Sequence, residues 1–187
     1  VRVLARKPVW SACIGVALLL VTASTQSAVT RDPYQYFFED TFGDFKEELA
    51  TAREEGKVGI LIFFEMDDCP FCHRMKRTVL NQPQVQDWYR ERFKIFSVDT
   101  EGDTEIKDFK GRAMPAKDFA LKVNRVRATP VFAFYDLKGE RVARYTGATK
   151  NAEEFLWLGE FVADGHYKSA NFSIYKRQKL EKVHSSP

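Results

Sequence analysis

Two cysteines separated by Pro70 and Phe71, with His73 directly after them, are the residues of this 187-residue chain best suited to chemistry. Thiols three apart on a helix share one face, near enough to close a small disulfide ring and reopen it. The chemistry implied is thiol–disulfide exchange: one thiolate attacks a sulfur–sulfur bond and the second resolves the mixed disulfide. Cys69, at the mouth of the helix, is placed to meet another molecule, and Cys72, one turn in, to resolve. A helix N-terminus favours thiolate over thiol, while the carboxylate of Asp68 beside Cys69 opposes it. His73 either tunes the pair through its positive charge when protonated or is a plain helix-surface histidine.

The same residues admit other chemistry. Cys69 to His73 fits Cys-x-x-Cys-His, the pattern of c-type haem attachment. Haem needs a helical wrapper and usually a second axial ligand, whereas this motif follows a strand-like run. For zinc, only His73, His166 and His184 supply nitrogen, without finger-like spacing, so no metal is expected.

The elements that must position the cysteines are legible on both sides. Val58 to Glu65 is an apolar run of strand length, and Pro70 suits a first helical turn, where its missing N–H costs nothing. The helix that opens there runs to about Leu80, and Pro83 to Arg92 restarts it. Upstream, Tyr34 to Gly56 reads as helical, with Phe38, Phe42, Phe45 and Leu49 in one stripe, Asp44 and Glu47 as a capping box and Gly56 as the stop. Phe93 to Asp99 alternates like a strand. Residues 100–117 read as an irregular insertion that could carry a short hairpin. Asp118 to Val123 is helical with Phe119, Ala120, Leu121 and Val123 inward. Val131 to Tyr135 and Glu140 to Tyr145 form a hairpin around a turn that ends in Gly139. A helix follows from about Asn151 to Ala163, burying Phe155, Leu156, Leu158 and Phe161, and residues 165–187 form an amphipathic tail. Sequential parallel strands joined by helices, closed by an antiparallel hairpin, predict an α/β sheet covered on both faces.

Composition narrows the partners. Arg2, Arg6 and Lys7 precede an apolar run of 15 residues, Val9 to Ala23, then small polar residues. That is the layout of a secretory signal peptide over residues 1–28, and the run is short of the roughly 18 residues of a membrane span. Removing it takes three of 29 basic residues and leaves 26 against 26 acidic ones, so nothing electrostatic favours a nucleic-acid partner. Cys13 leaves with the leader, so Cys69 and Cys72 have only each other. Residues 29–43 are then a linker and the start of a helical segment, and 44–164 the domain, taken as a monomer.

This layout resembles the thioredoxin superfamily from about Asp44 to Ala163. Cys69-Pro70-Phe71-Cys72 follows the first core strand as the family's active site does. Thr129-Pro130 precedes the next strand like its cis-proline loop, and Gly147-Ala148 is similar to the glycine that gives substrates room. The leader, the insertion and the tail beginning Gly165-His166-Tyr167-Lys168 are similar to bacterial periplasmic thioredoxin-related proteins, including those encoded with sulfur-oxidation systems. The resemblance implies a thioredoxin-like fold with a mixed central sheet, and an exported thiol–disulfide oxidoreductase without bound cofactor. Its substrate would be a protein disulfide or persulfide-type bond, contacted by Thr129, Pro130 and Gly147, with a membrane thiol electron donor. Oxidase or isomerase activity, or a non-catalytic binding module on the same scaffold, are the alternatives. One departure concerns Phe63, which stands where thioredoxins carry a buried aspartate. Glu65, on the same strand face, either substitutes for it or is a salt-bridged surface residue.

Overall fold

The computed structural model describes residues 29–185, so the leader expected over residues 1–28, with Cys13, lies outside the described residues. A four-stranded sheet runs in the order β2-β1-β5-β6, where β1 is Gly59–Glu65, β2 Phe93–Asp99, β5 Val131–Asp136 and β6 Arg141–Thr146. Strand β1 is buried along its whole length, as its unbroken apolar run requires of a central strand. It pairs in parallel with β2, from Gly59 opposite Phe93 to Glu65 opposite Asp99. Its other neighbour corrects the expectation of sequential parallel strands, because β5 runs antiparallel to β1 and β6 antiparallel to β5. The sheet is therefore mixed.

Alternate side chains of the strands feed two cores. Leu61, Phe63, Ile95, Phe132 and Phe134 face α3 (Pro70–Thr78), α4 (Pro83–Arg92) and α6 (Ala152–Ala163). Ile60, Ile62, Phe64, Phe96 and Ala133 face α2 (Phe45–Glu54) and the helical turns at 116–123. Asn151 caps α6 by accepting from Glu154 N, and Trp157 joins its buried side while Leu156 is only partly covered. The tail docks: after a 3-10 turn at His166–Lys168, α7 (Phe172–Ser185) places Tyr175 against Phe161 with ring centroids 5.6 Å apart.

The N-terminal segment differs from one continuous helix. A single turn, α1 (Pro33–Tyr36), ends before residue 37, and α2 starts afresh with Asp44 as its cap, accepting from Lys46 N and Glu47 N. Gly56, with φ +67°, stops it as expected. The supposed stripe is split across the sheet: Phe38 stacks on Phe63 in the first core, and Phe45 and Leu49 lie in the second. Between them Phe42 is fully exposed, not packed. The insertion does carry a hairpin, β3 (Glu105–Lys107) with β4 (Ala113–Pro115). It leads into α5 (Ala116–Asp118) and a π-helical turn, Phe119–Val123, in which Leu121 points outward against expectation, 53% exposed.

Candidate active site

The parallel pairing of β1 delivers the chain to the carboxyl end of the sheet, where Met66, Asp67 and Asp68 turn into α3. Cys69 is the N-cap of that helix and Pro70 its first residue. A cap residue presents its side chain to backbone N–H groups that lack helical partners. Here the presented atom is sulfur: Cys69 Sγ accepts from Cys72 N at 3.0 Å. Cys69 and Cys72 are joined as a disulfide, with Cα atoms 5.2 Å apart. Both are buried, Cys69 at 3% exposure and Cys72 at 0%, while Phe71 between them is 59% exposed with the Arg74 guanidinium 5.9 Å from its ring centroid.

Asp67 and Asp68 are exposed on the approach to Cys69. His73 folds back over this turn, its Nε2 2.8 Å from the Asp67 carbonyl oxygen, a contact in which the ring donates. The histidine is thus tied to the turn, and the haem reading finds the motif on an α/β sheet instead of a helical wrapper. Among the described residues no cluster of His, Cys, Asp and Glu has the geometry to hold a metal.

Glu65, the last residue of β1, is 8% exposed and lies on the same face of the strand as Phe63, the face that carries α3. It is salt-bridged, but in the interior and not at the surface. Lys76 Nζ is 2.6 Å from its Oε2, and Ser97 donates to its Oε1 at 2.5 Å. Tyr34, from α1, closes the group: its hydroxyl accepts from Lys76 Nζ at 2.6 Å and lies 3.4 Å from Glu65 Oε1. Burial works against the Lys76 charge, but the bonds with Glu65 and Tyr34 outweigh it and hold the ammonium above its ordinary pKa. Lys76 lies four residues after Cys72 on α3, so this network is mounted on the helix that carries the disulfide.

Sequence reasoning singled out Glu65 and missed Lys76, Tyr34 and Ser97. The signal was available: a carboxylate ending an otherwise apolar buried strand requires a partner, and Lys76 is one turn beyond Cys72 on the helix that packs against that strand.

The other expected residues converge on the same end of the sheet. The Thr129–Pro130 peptide bond is cis, and Pro130 is buried with Thr129 partly exposed in front of it. Gly147 N donates to Pro130 O at 2.8 Å, which ties the two loops together. Gly147 has φ +98°, a conformation few other residues adopt, and a Cβ there would meet nothing within 4 Å. The space beside it is open. Arg74 of α3 donates to Thr149 O at 2.9 Å, fastening the loop after Gly147 to the cysteine helix.

Comparison with known proteins agrees with this geometry. A family model described as a thioredoxin-like domain matches residues 45–163. Among solved structures, a thioredoxin-fold protein from Helicobacter pylori is 21% identical with a TM-score of 0.55, covering 67% of this chain and 86% of that one. A protein titled DsbH oxidoreductase is 14% identical with a TM-score of 0.52, covering 70% and 88%. A putative disulphide-isomerase from Bacteroides thetaiotaomicron is 24% identical with a TM-score of 0.51, covering 67% and 91%. These likenesses establish the fold. No curated protein sequence matches the chain.

Proposed function

The chain belongs to the thioredoxin-like domain family, and on that premise we propose that it is an exported thiol–disulfide oxidoreductase that reduces disulfide or persulfide-type bonds on partner proteins. The observation that carries the reading is Cys69 Sγ at the cap of α3, bonded to Cys72 and accepting a backbone N–H where a thiolate would be stabilised.

In the proposed cycle the reduced Cys69 thiolate attacks one sulfur of the partner bond. A Cys69–partner disulfide forms, the partner bond breaks, and one partner thiolate leaves and takes up a proton. The Cys72 thiolate then attacks Cys69 Sγ, closing the internal disulfide and releasing the second partner thiol. Two electrons pass to the partner, whose two thiolates take up from solvent the two protons that the cysteine thiols release on ionising. A dithiol donor at the membrane, oxidised in turn to a disulfide, restores the pair, and no bound cofactor takes part. Thr129, Pro130 and Gly147 supply the contact surface, with the partner chain extended beside the pair.

The reducing direction is supported by Asp67 and Asp68, whose exposed carboxylates set negative charge beside Cys69 and limit thiolate stabilisation. The basic-then-apolar sequence of residues 1–28 supports export and a periplasmic location. Among the described residues no helix is long and apolar enough to cross a membrane.

Equilibration of the pair with glutathione tests the direction. The expected potential lies in the reductant range of about −200 to −270 mV. A value near about −120 mV would make the protein a dithiol oxidant.

A further inference from the structure

The tail helix α7 carries no residue of the exchange site, yet it pairs with a buried charge that the proposed cycle does not use. Glu154, in the first turn of α6, is 4% exposed. Its backbone N–H donates to the side chain of the cap residue Asn151 at 2.9 Å, and its carboxylate reaches back along the chain in return, as in a capping box. There Oε2 accepts from Lys150 N and Oε1 from the Tyr145 hydroxyl, each at 3.3 Å. Burial, and then the Glu154 charge, raise the Tyr145 pKa, so the phenol stays a donor.

Two neutral donors do not compensate a buried carboxylate, which needs a cation as well. The cation comes from the tail: Lys176 Nζ lies 2.8 Å from Glu154 Oε1. Contacts that do not involve Glu154 hold α7 in place to supply it. The Phe172 ring meets Tyr145 and Phe161 edge-on, with centroids 5.7 Å from each. One turn along, the Tyr175 hydroxyl donates to Glu160 at 3.2 Å and Lys179 Nζ pairs with the same carboxylate at 2.5 Å.

What Glu154 holds is the loop of residues 147–150. At one end Gly147 N donates to Pro130 O at 2.8 Å. In the middle Thr149 is 1% exposed, and its carbonyl accepts from Arg74 of α3 at 2.9 Å. Its hydroxyl donates to Asn151 O at 3.1 Å and lies 3.7 Å from Met75 Sδ, also on α3. At the other end Lys150 N rests on Glu154. The loop is thus pinned to the cis-proline loop, to the cysteine helix and to Glu154, and the third pin depends on a charge that α7 neutralises.

We propose that Lys176 is a positioning residue: through Glu154 it fixes the loop of residues 147–150 in the shape that receives a polypeptide substrate. The inference rests on the thiol-exchange reading and adds to it a role for the tail, which sets substrate binding and takes no part in the exchange of sulfur bonds. A small disulfide that makes no contact at Gly147 is indifferent to the tail.

The test measures KM and kcat for a disulfide-linked peptide, with the rate of reduction of a small nitroaryl disulfide as reference. Lys176→Met should raise the peptide KM about fivefold, the scale of one hydrogen bond lost from the loop, and leave kcat and the nitroaryl rate unchanged. Lys176→Arg restores the cation and should restore KM. So should Lys176→Met combined with Glu154→Gln, because glutamine accepts the same two bonds with no charge to compensate. Lys179→Met loosens α7 at Glu160 without touching Glu154 and should leave KM where it is. An unmoved KM in Lys176→Met, loss of its nitroaryl rate, a double variant as impaired as the single one, or an equal rise in Lys179→Met would overturn the positioning role while leaving the exchange reading intact. Failure of the unaltered protein to reduce even the nitroaryl disulfide would overturn the exchange reading itself, and the positioning role with it.

Discussion

Lys76 and Lys94 are both interior cations held by glutamates, yet they stand on opposite faces of the sheet. Lys94, 8% exposed on β2, faces α2 and meets Glu39 at 2.8 Å, Glu55 at 3.5 Å and Glu48 at 3.9 Å. Its strand partner is Ile60, five residues before Glu65, or about 16 Å along the strand. Burial opposes the Lys94 charge, and the three carboxylates outweigh it, so its pKa is raised as that of Lys76 is. The difference lies in what each cluster touches. The Lys94 cluster joins β2 to α2 and to the chain ahead of it, and nothing in it reaches the cysteines. The Lys76 cluster is mounted on α3 and fills the face where thioredoxins keep a buried acid. The same electrostatic device fastens β2 to α2 in one place and, in the other, is mounted on the helix that carries the disulfide.

That contrast is sharpest when each lysine is removed. Lys94→Met leaves Glu39 and Glu48 without their cation and Glu55 with only Lys57, 3.8 Å away, and should cost about 3 kcal/mol, the lower end of the range for a buried pair that loses one partner. Urea denaturation would show this as a lower midpoint, while the potential of the cysteine pair stays fixed. A shift in that potential would break the contrast. Lys76→Met should cost less, about 2 kcal/mol, because Ser97 still donates to Glu65. Unlike the first variant, it should also displace the pH profile of disulfide reduction. An unmoved profile would reduce Lys76 to a second fastener.

Alkaline titration follows from the raised pKa values. A lysine whose folded pKa exceeds its unfolded value, about 10.4, contributes stability that is complete below that value and lost as pH rises through the folded one. Stability should therefore fall above about pH 10.4, and each lysine-to-methionine variant should lose part of that dependence. Asp68→Asn should give the smallest effect. Removing one exposed charge beside Cys69 should lower the Cys69 pKa and make the disulfide slightly more oxidising. Thiolate absorbance at low and moderate salt measures it, and an unchanged or raised pKa would remove Asp68 from the account.

The sequence made most of this architecture readable, for reasons that differ by element. The unbroken apolar run of β1 marks a central strand, and Pro70 after Cys69 marks a helix start. Phe42 was misread because a period of 3.6 was counted across Gly43, where φ is +83°, and across Asp44, a residue suited to begin a helix. A cap at Asp44 and a helix running through it are incompatible, and the cap won. Leu121 was misplaced because pattern counting assumes an α-turn, and five residues of π-helix rotate the face. The direction of β5 depends on the path of the chain through the insertion, which no local pattern encodes. At the site, the cysteine pair was legible from type and spacing, and Pro130 and Gly147 only through the family resemblance that sets them on loops at the same end of the sheet. Tyr34 and Ser97 were not, because a phenol and a hydroxyl remote in sequence give no sign of meeting one carboxylate.

The central claim is the division of labour between the cysteines, and covalent trapping tests it most directly. Cys72→Ser should hold the partner on Cys69 as a mixed disulfide that survives non-reducing electrophoresis, and Cys69→Ser should hold little. Equal trapping by the two variants, or trapping by neither, would contradict the account.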